Sequence, residues 1–294
     1  MSLDFSIFLE PRVMILKIGF YSIQGGTGKT TIATNMAYHL SKIVRTIYVD
    51  CDLYGTTAPM LFGFENNVNT LNAYLNGDIP LEDMIQQYDT LSLILCDATP
   101  EAFNTNSNPE KVVELINLME KEFDVVIYDL PPNITEGNLL FVGSERLNNI
   151  IMVSNDSIPG IANTLKTADL LDELDIGIIG TVVNMDMGNV QFEEVVDKLL
   201  AILPYDKKVE KQYIDNVPII DIKNSKFRKE LIKLSDELAG AYIEEGIATE
   251  RALNIAKDLR GAIIGEEPLE DKSDEDIDFD MDDFDIEEFN PKRL

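Results

Sequence analysis

Apolar runs alternate along the chain with segments in which apolar residues recur at helical spacing. Continuous apolar runs such as Val125–Tyr128 are typical of strands buried on both faces. The predicted strands are Met14–Ser22, Thr46–Asp50, Leu91–Leu95, Val125–Asp129, Ile150–Ser154, Ile176–Val183 and Ala201–Leu203. The predicted helices between them are Lys29–Ser41, Glu110–Lys121, Pro159–Glu173 and Phe192–Leu200. This alternation predicts an α/β fold: a mostly parallel sheet with helices on both faces.

Beyond Pro218 the pattern is helical, with two predicted amphipathic helices at Ser225–Glu245 and Thr249–Ile264. The second helix has one apolar stripe, flanked by three basic residues. Packing against the domain is the ordinary role of such a helix. A partner-binding or membrane-surface helix is the alternative.

The charge of the chain is unusual, whereas its composition is that of a soluble globular protein. Of 294 residues, 45% are hydrophobic and 26% charged, but the net charge is −29. Residues 266–294 carry −11 of it, so the rest of the chain is acidic as well. Nonspecific binding to nucleic acid or to an anionic membrane needs clustered Lys and Arg. We therefore expect neither partner, although a local basic patch is not excluded.

Acidic and apolar residues alternate in the C-terminal segment 266–294. Such a composition is typical of a tail that is disordered when alone. It suits either a solubilising tail or a segment that docks on a protein partner. We therefore divide the chain into a leader at 1–13, one domain at 14–265 and an acidic tail at 266–294.

The two cysteines, Cys51 and Cys96, form no Cys-x-x-Cys or Cys/His cluster. A disulfide framework and a thiolate metal site are therefore not expected. No apolar run is long enough to span a membrane, and residues 1–10 lack the basic start of a secretory signal. We expect a cytoplasmic protein.

A glycine-rich segment, Gln-Gly-Gly-Thr-Gly-Lys-Thr-Thr, follows the first predicted strand and opens the first predicted helix. This is the context in which a phosphate-binding loop is expected. Glycines let backbone N–H groups approach phosphate oxygens, and the N-terminus of the helix attracts the same anion. Lys29 would contact the β- and γ-phosphates, and the Thr30 hydroxyl would ligate Mg²⁺. We assign nucleotide binding to Gln24, Gly25, Gly26, Thr27, Gly28, Lys29, Thr30 and Thr31.

Three aspartates end predicted strands: Asp50 and Asp52 after the second, and Asp129 at the fourth. Ligands of α/β sheets bind at the carboxyl ends of the strands. Carboxylates there can hold Mg²⁺, directly or through water, and can orient an attacking water. We predict Asp50 and Asp129 as metal-site residues, although each could also be a strand-ending Asp without such a role.

With these motifs in order, residues 14 to 240 resemble the MinD/ParA family of deviant Walker A ATPases. The resemblance implies ATP and Mg²⁺ as cofactors, catalytic roles for Lys29 and Asp52, and an ATP-dependent homodimer. It makes Asp52 the residue that orients the hydrolytic water. By the same resemblance, Asn184 is an amide partner of the adenine base and Pro204 lies beside it.

The loop departs from the family pattern at one position. Members usually carry a signature lysine just before the glycine pair, which reaches across the dimer to the partner's phosphates. Here Gln24 stands in that position, and it brings no positive charge. Slow hydrolysis is therefore expected.

Several sub-families are excluded by composition. Iron–sulfur carriers, nitrogenase-type reductases and nickel-insertion relatives depend on cysteine ligands that this chain lacks. Membrane-attached members end in a basic helix, whereas this chain ends in acidic residues. DNA-coating members need exposed basic surface, which the net charge of −29 disfavours. The leading hypothesis is a dimerising switch ATPase that positions or regulates a protein assembly. The alternatives are an ATP-dependent small-molecule enzyme and a nucleotide-binding scaffold with little hydrolysis.

Overall fold

The computed structural model of the protein describes residues 16–64, 68–105, 108–132, 147, 149–192, 195–196 and 198–245. These residues form one eight-stranded sheet in the order β3-β4-β2-β5-β1-β6-β7-β8. All neighbouring strands pair in parallel except β3, which is antiparallel to β4 at one edge. The strands are β1 Leu16–Tyr21, β2 Thr46–Asp50, β3 Gln86–Tyr88, β4 Leu91–Ile94, β5 Val125–Asp129, β6 Ile150–Asn155, β7 Ile178–Asp186 and β8 Leu199–Pro204.

The helices connect successive parallel strands or follow the last strand. They are α1 Lys29–Ser41, α2 Ala58–Phe62, α3 Leu71–Asn76, α4 Leu81–Met84, α5 Pro109–Glu122, α6 Ile158–Glu173, α7 Lys208–Asp215 and α8 Lys226–Glu245. Two short 3₁₀ turns, Pro100–Asn104 and Ile219–Asp221, complete the described elements. Within the described ranges, no helix has the length and hydropathy needed to cross a bilayer.

The core lies on both faces of the sheet, because successive side chains of each strand point to opposite faces. In β5, Val125 and Ile127 pack with α1 and α8, whereas Val126 and Tyr128 pack with α5. The predicted fold class is therefore confirmed: the sheet is mostly parallel and has helices on both of its faces.

One predicted helix, Phe192–Leu200, is wrong. Leu199 and Leu200 begin β8, and Leu199 pairs with Thr181 of β7. The run from Leu199 to Leu203 is short and apolar, so its periodicity does not distinguish a strand from a buried helix. The edge strand β3 was not predicted, since its sequence Gln-Gln-Tyr carries no apolar alternation.

Other predictions cannot be compared with the structure. The leader 1–13, the helix Thr249–Ile264 and the tail 266–294 lie outside the described residues.

The sheet order brings the predicted chemistry together at one edge. Strand β5 lies between β2 and β1, and Asp129 is in register with Asp50 on one side and Phe20 on the other. The carboxyl ends of β1, β2 and β5 therefore adjoin, and the glycine-rich loop follows β1 directly. Ligand sites of open α/β sheets form at this edge.

Candidate nucleotide-binding site

The glycine-rich loop has the backbone of an anion cradle. Gly26 and Gly28 have φ of 76° and 88°, a left-handed conformation that side chains disfavour. Gly28 is also the N-cap of α1, so the positive end of that helix points toward the loop. A Cβ placed on Gly26 would meet nothing within 4 Å. The loop thus presents backbone N–H groups to open space, as phosphate binding requires.

A cleft of about 590 Å³ lies over this loop. Its walls come from five segments: the loop with the start of α1, the turn after β2, the Pro-Pro turn after β5, the end of β7 and helix α7. Its lining residues are Gly25, Gly26, Gly28, Lys29, Thr30, Thr31, Asp52, Leu53, Tyr54, Gly55, Thr57, Pro131, Pro132, Met185 and Tyr213.

The Lys29 side chain is buried at the floor of the cleft, with a relative exposure of 7%. Burial lowers its pKa, whereas the negative charges of Asp129 and Asp52 raise it. A buried ammonium beside an open anion cradle is arranged to contact a negatively charged ligand. Such a ligand would restore the electrostatic stabilisation that the ammonium loses on burial.

Asp129 ends β5 beneath the loop and is 3% exposed. Its Oδ2 accepts a hydrogen bond of 2.8 Å from the hydroxyl of Tyr48. Its Oδ1 is buried and has no hydrogen-bond partner within the described part of the chain. Burial raises the pKa of Asp129 to about 6, although the hydroxyls of Thr30 and Tyr48 and the charge of Lys29 act in the opposite direction. An unpaired carboxylate oxygen in this place is suited to a cation or to a cation-bound water.

Asp50 and Asp52 face different surroundings. Asp50 is buried outside the cleft lining, and it accepts hydrogen bonds from the Asp52 amide (3.1 Å), the Thr56 hydroxyl and the Cys96 amide (3.4 Å). Burial and the charge of Asp129 raise its pKa to about 8. Asp52 lines the cleft, and its Oδ1 accepts from the Gly55 amide at 2.9 Å. Asp52 is therefore the carboxylate at the cleft wall, and Asp50 supports the turn that carries it.

Gln24 lies outside the cleft lining. Its side-chain oxygen accepts a hydrogen bond of 3.3 Å from the Asn163 amide on α6. Its backbone N–H donates to the Ser22 hydroxyl at 3.3 Å. Within this chain, Gln24 is thus held against α6 and outside the lining of the cleft.

The two predicted adenine-site residues also lie outside the lining. The buried Asn184 donates its side-chain amide to the Thr27 carbonyl at 2.8 Å. It therefore supports the back of the phosphate-binding loop. Pro204 is the half-buried last residue of β8, and three strands lie between β8 and β5. Their contact with a base stays a prediction.

Several lining side chains were missed by the sequence reasoning, and three of them show why. Tyr213 of α7 reaches the cleft, and its hydroxyl lies 3.0 Å from that of Thr31. Met185 takes a left-handed φ of 57° at the end of β7. Tyr54 stacks on Phe103, with ring centroids 5.8 Å apart and planes 10° from parallel. Helix α7 was not predicted, and only the tertiary fold places its Tyr213 at the cleft.

The family model described as ParA, NUBPL iron-transfer P-loop NTPase, matches residues 14–239. An uncharacterized ATP-binding protein of Methanocaldococcus jannaschii is 47% identical over 245 residues, which cover 82% of this chain and 92% of that protein. The septum site-determining protein MinD of Pyrococcus horikoshii OT3, solved with Mg-ADP, has a TM-score of 0.69 and 25% identity. That likeness covers 80% of this chain and all of the solved chain.

A more distant relative is an iron–sulfur cluster carrier protein of Aquifex aeolicus. It is 25% identical over 174 residues, 58% of this chain and 47% of that protein. Residues 14–239, which the family model matches, contain the glycine-rich loop, both strand-end aspartate segments and the whole described sheet. The chain therefore belongs to the ParA family of P-loop NTPases, with an ATP-binding relative and a MinD-like fold.

Proposed function

We propose that this protein is a Mg²⁺-dependent ATPase that forms a homodimer when ATP is bound and returns to a monomer after hydrolysis. The observation that carries the proposal is a cleft over the glycine cradle that is lined by Lys29 and Asp52, with the buried carboxylate of Asp129 acting on the charge of Lys29. In this arrangement an anion cradle, a buried cation and a cleft-facing carboxylate converge on the same volume. That combination is suited to phosphoryl transfer to water.

ATP and Mg²⁺ both fit the residues present. The open backbone N–H groups at Gly25 and Gly26 would donate hydrogen bonds to the phosphate oxygens, and Lys29 would neutralise the charge of these oxygens. Thr30 and the unpaired Oδ1 of Asp129 would hold Mg²⁺, directly or through water. When bound, Mg²⁺ supplies Lewis-acid stabilisation of the charge that develops on the phosphates.

Asp52 is the residue we assign to the attacking water. It lies at the cleft wall, and the Gly55 amide fixes one of its oxygens, so the carboxylate has a defined direction. Asp50 supports this geometry, since its carboxylate accepts the backbone N–H of Asp52. Asp50 would therefore act as a positioning residue rather than as a direct metal ligand.

The dimer part of the proposal comes from the MinD/ParA relationship and from the shape of the site. Gly25 and Gly26 line the cleft and are exposed to solvent. A second subunit on that face would close the cleft over the nucleotide and exclude water from it. A switch between two association states is the property that lets such an ATPase position or regulate a protein assembly.

We do not assign to this protein the iron–sulfur cluster role of its distant relatives. The only two thiols of the chain, those of Cys51 and Cys96, are buried in the core, and burial raises the pKa of both. Cys96 donates its thiol to the Asp50 carbonyl at 3.2 Å. A neutral, buried thiol is unsuited to bind a cluster.

One observation favours a second candidate, a nucleotide-bound scaffold with little hydrolysis. The signature lysine is absent, and Gln24 is held by Asn163. The dimer would then lack a cation at the phosphates of the opposite subunit, and ATP would stay bound for longer.

Phosphate release tests the enzyme claim. We expect slow release from ATP that requires Mg²⁺ and that is lost when Lys29 is replaced by Ala. The control is Lys17→Ala. Lys17 of β1 forms an ion pair of 2.9 Å with Glu120, and neither residue lines the cleft. Tight ATP binding without any release would favour the scaffold instead.

A further inference from the structure

A basic surface interrupts the otherwise acidic body of this protein. Residues 207–233 contain eight Lys or Arg and four Asp or Glu, so this stretch has a net charge of +4 in a chain of −29. The exposed lysines of its first part are Lys207, Lys211, Lys223 and Lys226. We call these four side chains the basic surface.

Tertiary contacts bring the basic surface together at one place. The ammonium of Lys208 donates to the carbonyl of Asn224 at 2.6 Å, which joins α7 to the turn before α8. The Lys226 amide donates to Asp206 at 3.1 Å, just before Lys207. The start of α7, the turn at 222–225 and the start of α8 are therefore neighbours.

The charges of the basic surface are not neutralised by ion pairs within the described part of the chain. None of its four lysines forms an ion pair there. Apolar side chains lie beside them. Lys207, the N-cap of α7, is followed by Lys211 and Ile214 at the i+4 and i+7 positions of one helix face, and Ile214 is 76% exposed. Tyr205, at 45% exposure, precedes Lys207 by two residues.

The C-terminal segment 266–294 has the complementary chemistry. It carries 14 acidic and three basic residues, with Ile277, Phe279, Met281, Phe284, Ile286 and Phe289 placed among the acids. A mixed cationic and apolar surface is matched by a mixed anionic and apolar peptide. We infer that the acidic segment 266–294 docks on the basic surface of its own chain.

The intervening chain is long enough. Helix α8 runs from Lys226 to Glu245, so the described chain ends about 30 Å from the basic surface at 1.5 Å per residue. Another 20 residues, 246–265, precede Glu266. If 16 of them were helical, the connection would still span about 40 Å. A short tether of this kind gives a local concentration on the order of millimolar, which favours docking within one chain.

Docking of segment 266–294 on the basic surface is tested on the full-length chain with a carbodiimide. This reagent joins a lysine amine directly to a carboxylate in contact with it. Mass spectrometry of the isolated monomer then gives the linked pairs. We expect links from Lys207, Lys211, Lys223 and Lys226 to residues 266–294 to be at least fivefold more abundant than links from Lys121 and Lys166. We expect these links to fall at least threefold in 0.5 M NaCl, because salt screens exposed charges.

Matched variants separate the basic surface from general charge. Lys207→Glu/Lys211→Glu/Lys226→Glu should remove most of the links of residues 266–294 to the body. The control Lys121→Glu/Lys166→Glu/Lys198→Glu makes the same change in net charge at exposed lysines elsewhere and should leave them unchanged. Circular dichroism of both triple variants confirms that each is folded.

Three results would overturn the inference. One is equal linking of all exposed lysines. Another is linking only between ¹⁴N- and ¹⁵N-labelled molecules mixed before the reaction, which would make the occupant a second copy. The third is binding of a 20-base-pair duplex or of phosphatidylserine vesicles through these same lysines at 0.15 M salt. None of these tests depends on ATP hydrolysis, so the inference stands or fails separately from the proposed function.

Discussion

The hydroxyl groups of Thr31, in the first turn of α1, and Tyr213, on α7, lie 3.0 Å apart. A second contact joins the same two helices, since Asn35 donates its side-chain amide to Gln212 at 2.8 Å. Helix α7 follows the last strand but is fixed to the helix that begins at the phosphate-binding loop. One wall of the cleft is thus held by a short helix near the end of the domain.

Replacing Tyr213 by Phe should lower the free energy of unfolding by about 1 kcal/mol, because a hydrogen bond between two hydroxyls is lost. Urea unfolding measures the change. The matched control is Tyr54→Phe, which alters another cleft tyrosine that is 47% exposed. An equal loss in both variants would contradict the role of the Thr31 contact.

A substitution at Asn184 distinguishes two roles of this residue, supporting the phosphate-binding loop and contacting the adenine base. Its amide supports the Thr27 carbonyl, so Asn184→Ala should weaken ATP and GTP binding equally, by roughly tenfold, as a buried carbonyl loses its partner. Titration calorimetry with both nucleotides gives the two affinities. A loss confined to ATP would instead support the predicted contact with adenine.

Gln24→Lys should raise the rate of phosphate release by roughly tenfold, because in the proposed dimer it would add a positive charge at the phosphates of the opposite subunit, where negative charge develops. Asn163→Ala serves as the control, since it removes the contact of Gln24 with α6 without adding charge. If Gln24→Lys left the rate unchanged while dimerisation persisted, position 24 would have no role at the phosphates.

The stability of the nucleotide-free protein should fall as the pH rises from 5 to 8. Burial raises the pKa of Asp50 to about 8 and that of Asp129 to about 6, so the folded state holds protons that the unfolded state has released. Each raised pKa therefore favours folding at low pH. This contribution to stability is lost as the pH rises through the pKa of the group in the folded state. Denaturant midpoints across this range measure the slope.

Asp50→Asn should flatten this slope, because it replaces the buried carboxylate with a neutral group of similar shape. The control is Asp97→Asn, which makes the same change in charge at a half-exposed carboxylate next to Cys96. A rise in stability between pH 5 and 8 in the unchanged protein would contradict the assignment.

The fold and the loop were predictable because their signals are local and strong. The strand predicted at Val125–Asp129 is confirmed, and so is the helix Lys29–Ser41, since each has a full apolar pattern and a clear boundary. The glycine positions follow from backbone requirements that few other residues meet. The family resemblance is confirmed by the match over residues 14–239.

What the sequence could not reveal depends on tertiary contacts. The different surroundings of Asp50 and Asp52 arise because one side chain turns toward the core and the other toward the cleft. Tyr213 reaches the cleft only because α7 packs on α1, far along the chain. The helix predicted at Phe192–Leu200 failed because the pairing of β8 with β7 determines the structure of a short apolar run.

The central claim is the ATP-dependent change of association state. The most direct test is the mass in solution of the Asp52→Ala variant without nucleotide, with ADP and with ATP and Mg²⁺. Hydrolysis in this variant should fall by a factor on the order of 10² to 10⁴, so that ATP remains bound. We predict a monomer in the first two states and a dimer with ATP. A monomer in all three states, with ATP shown to be bound, would contradict the account.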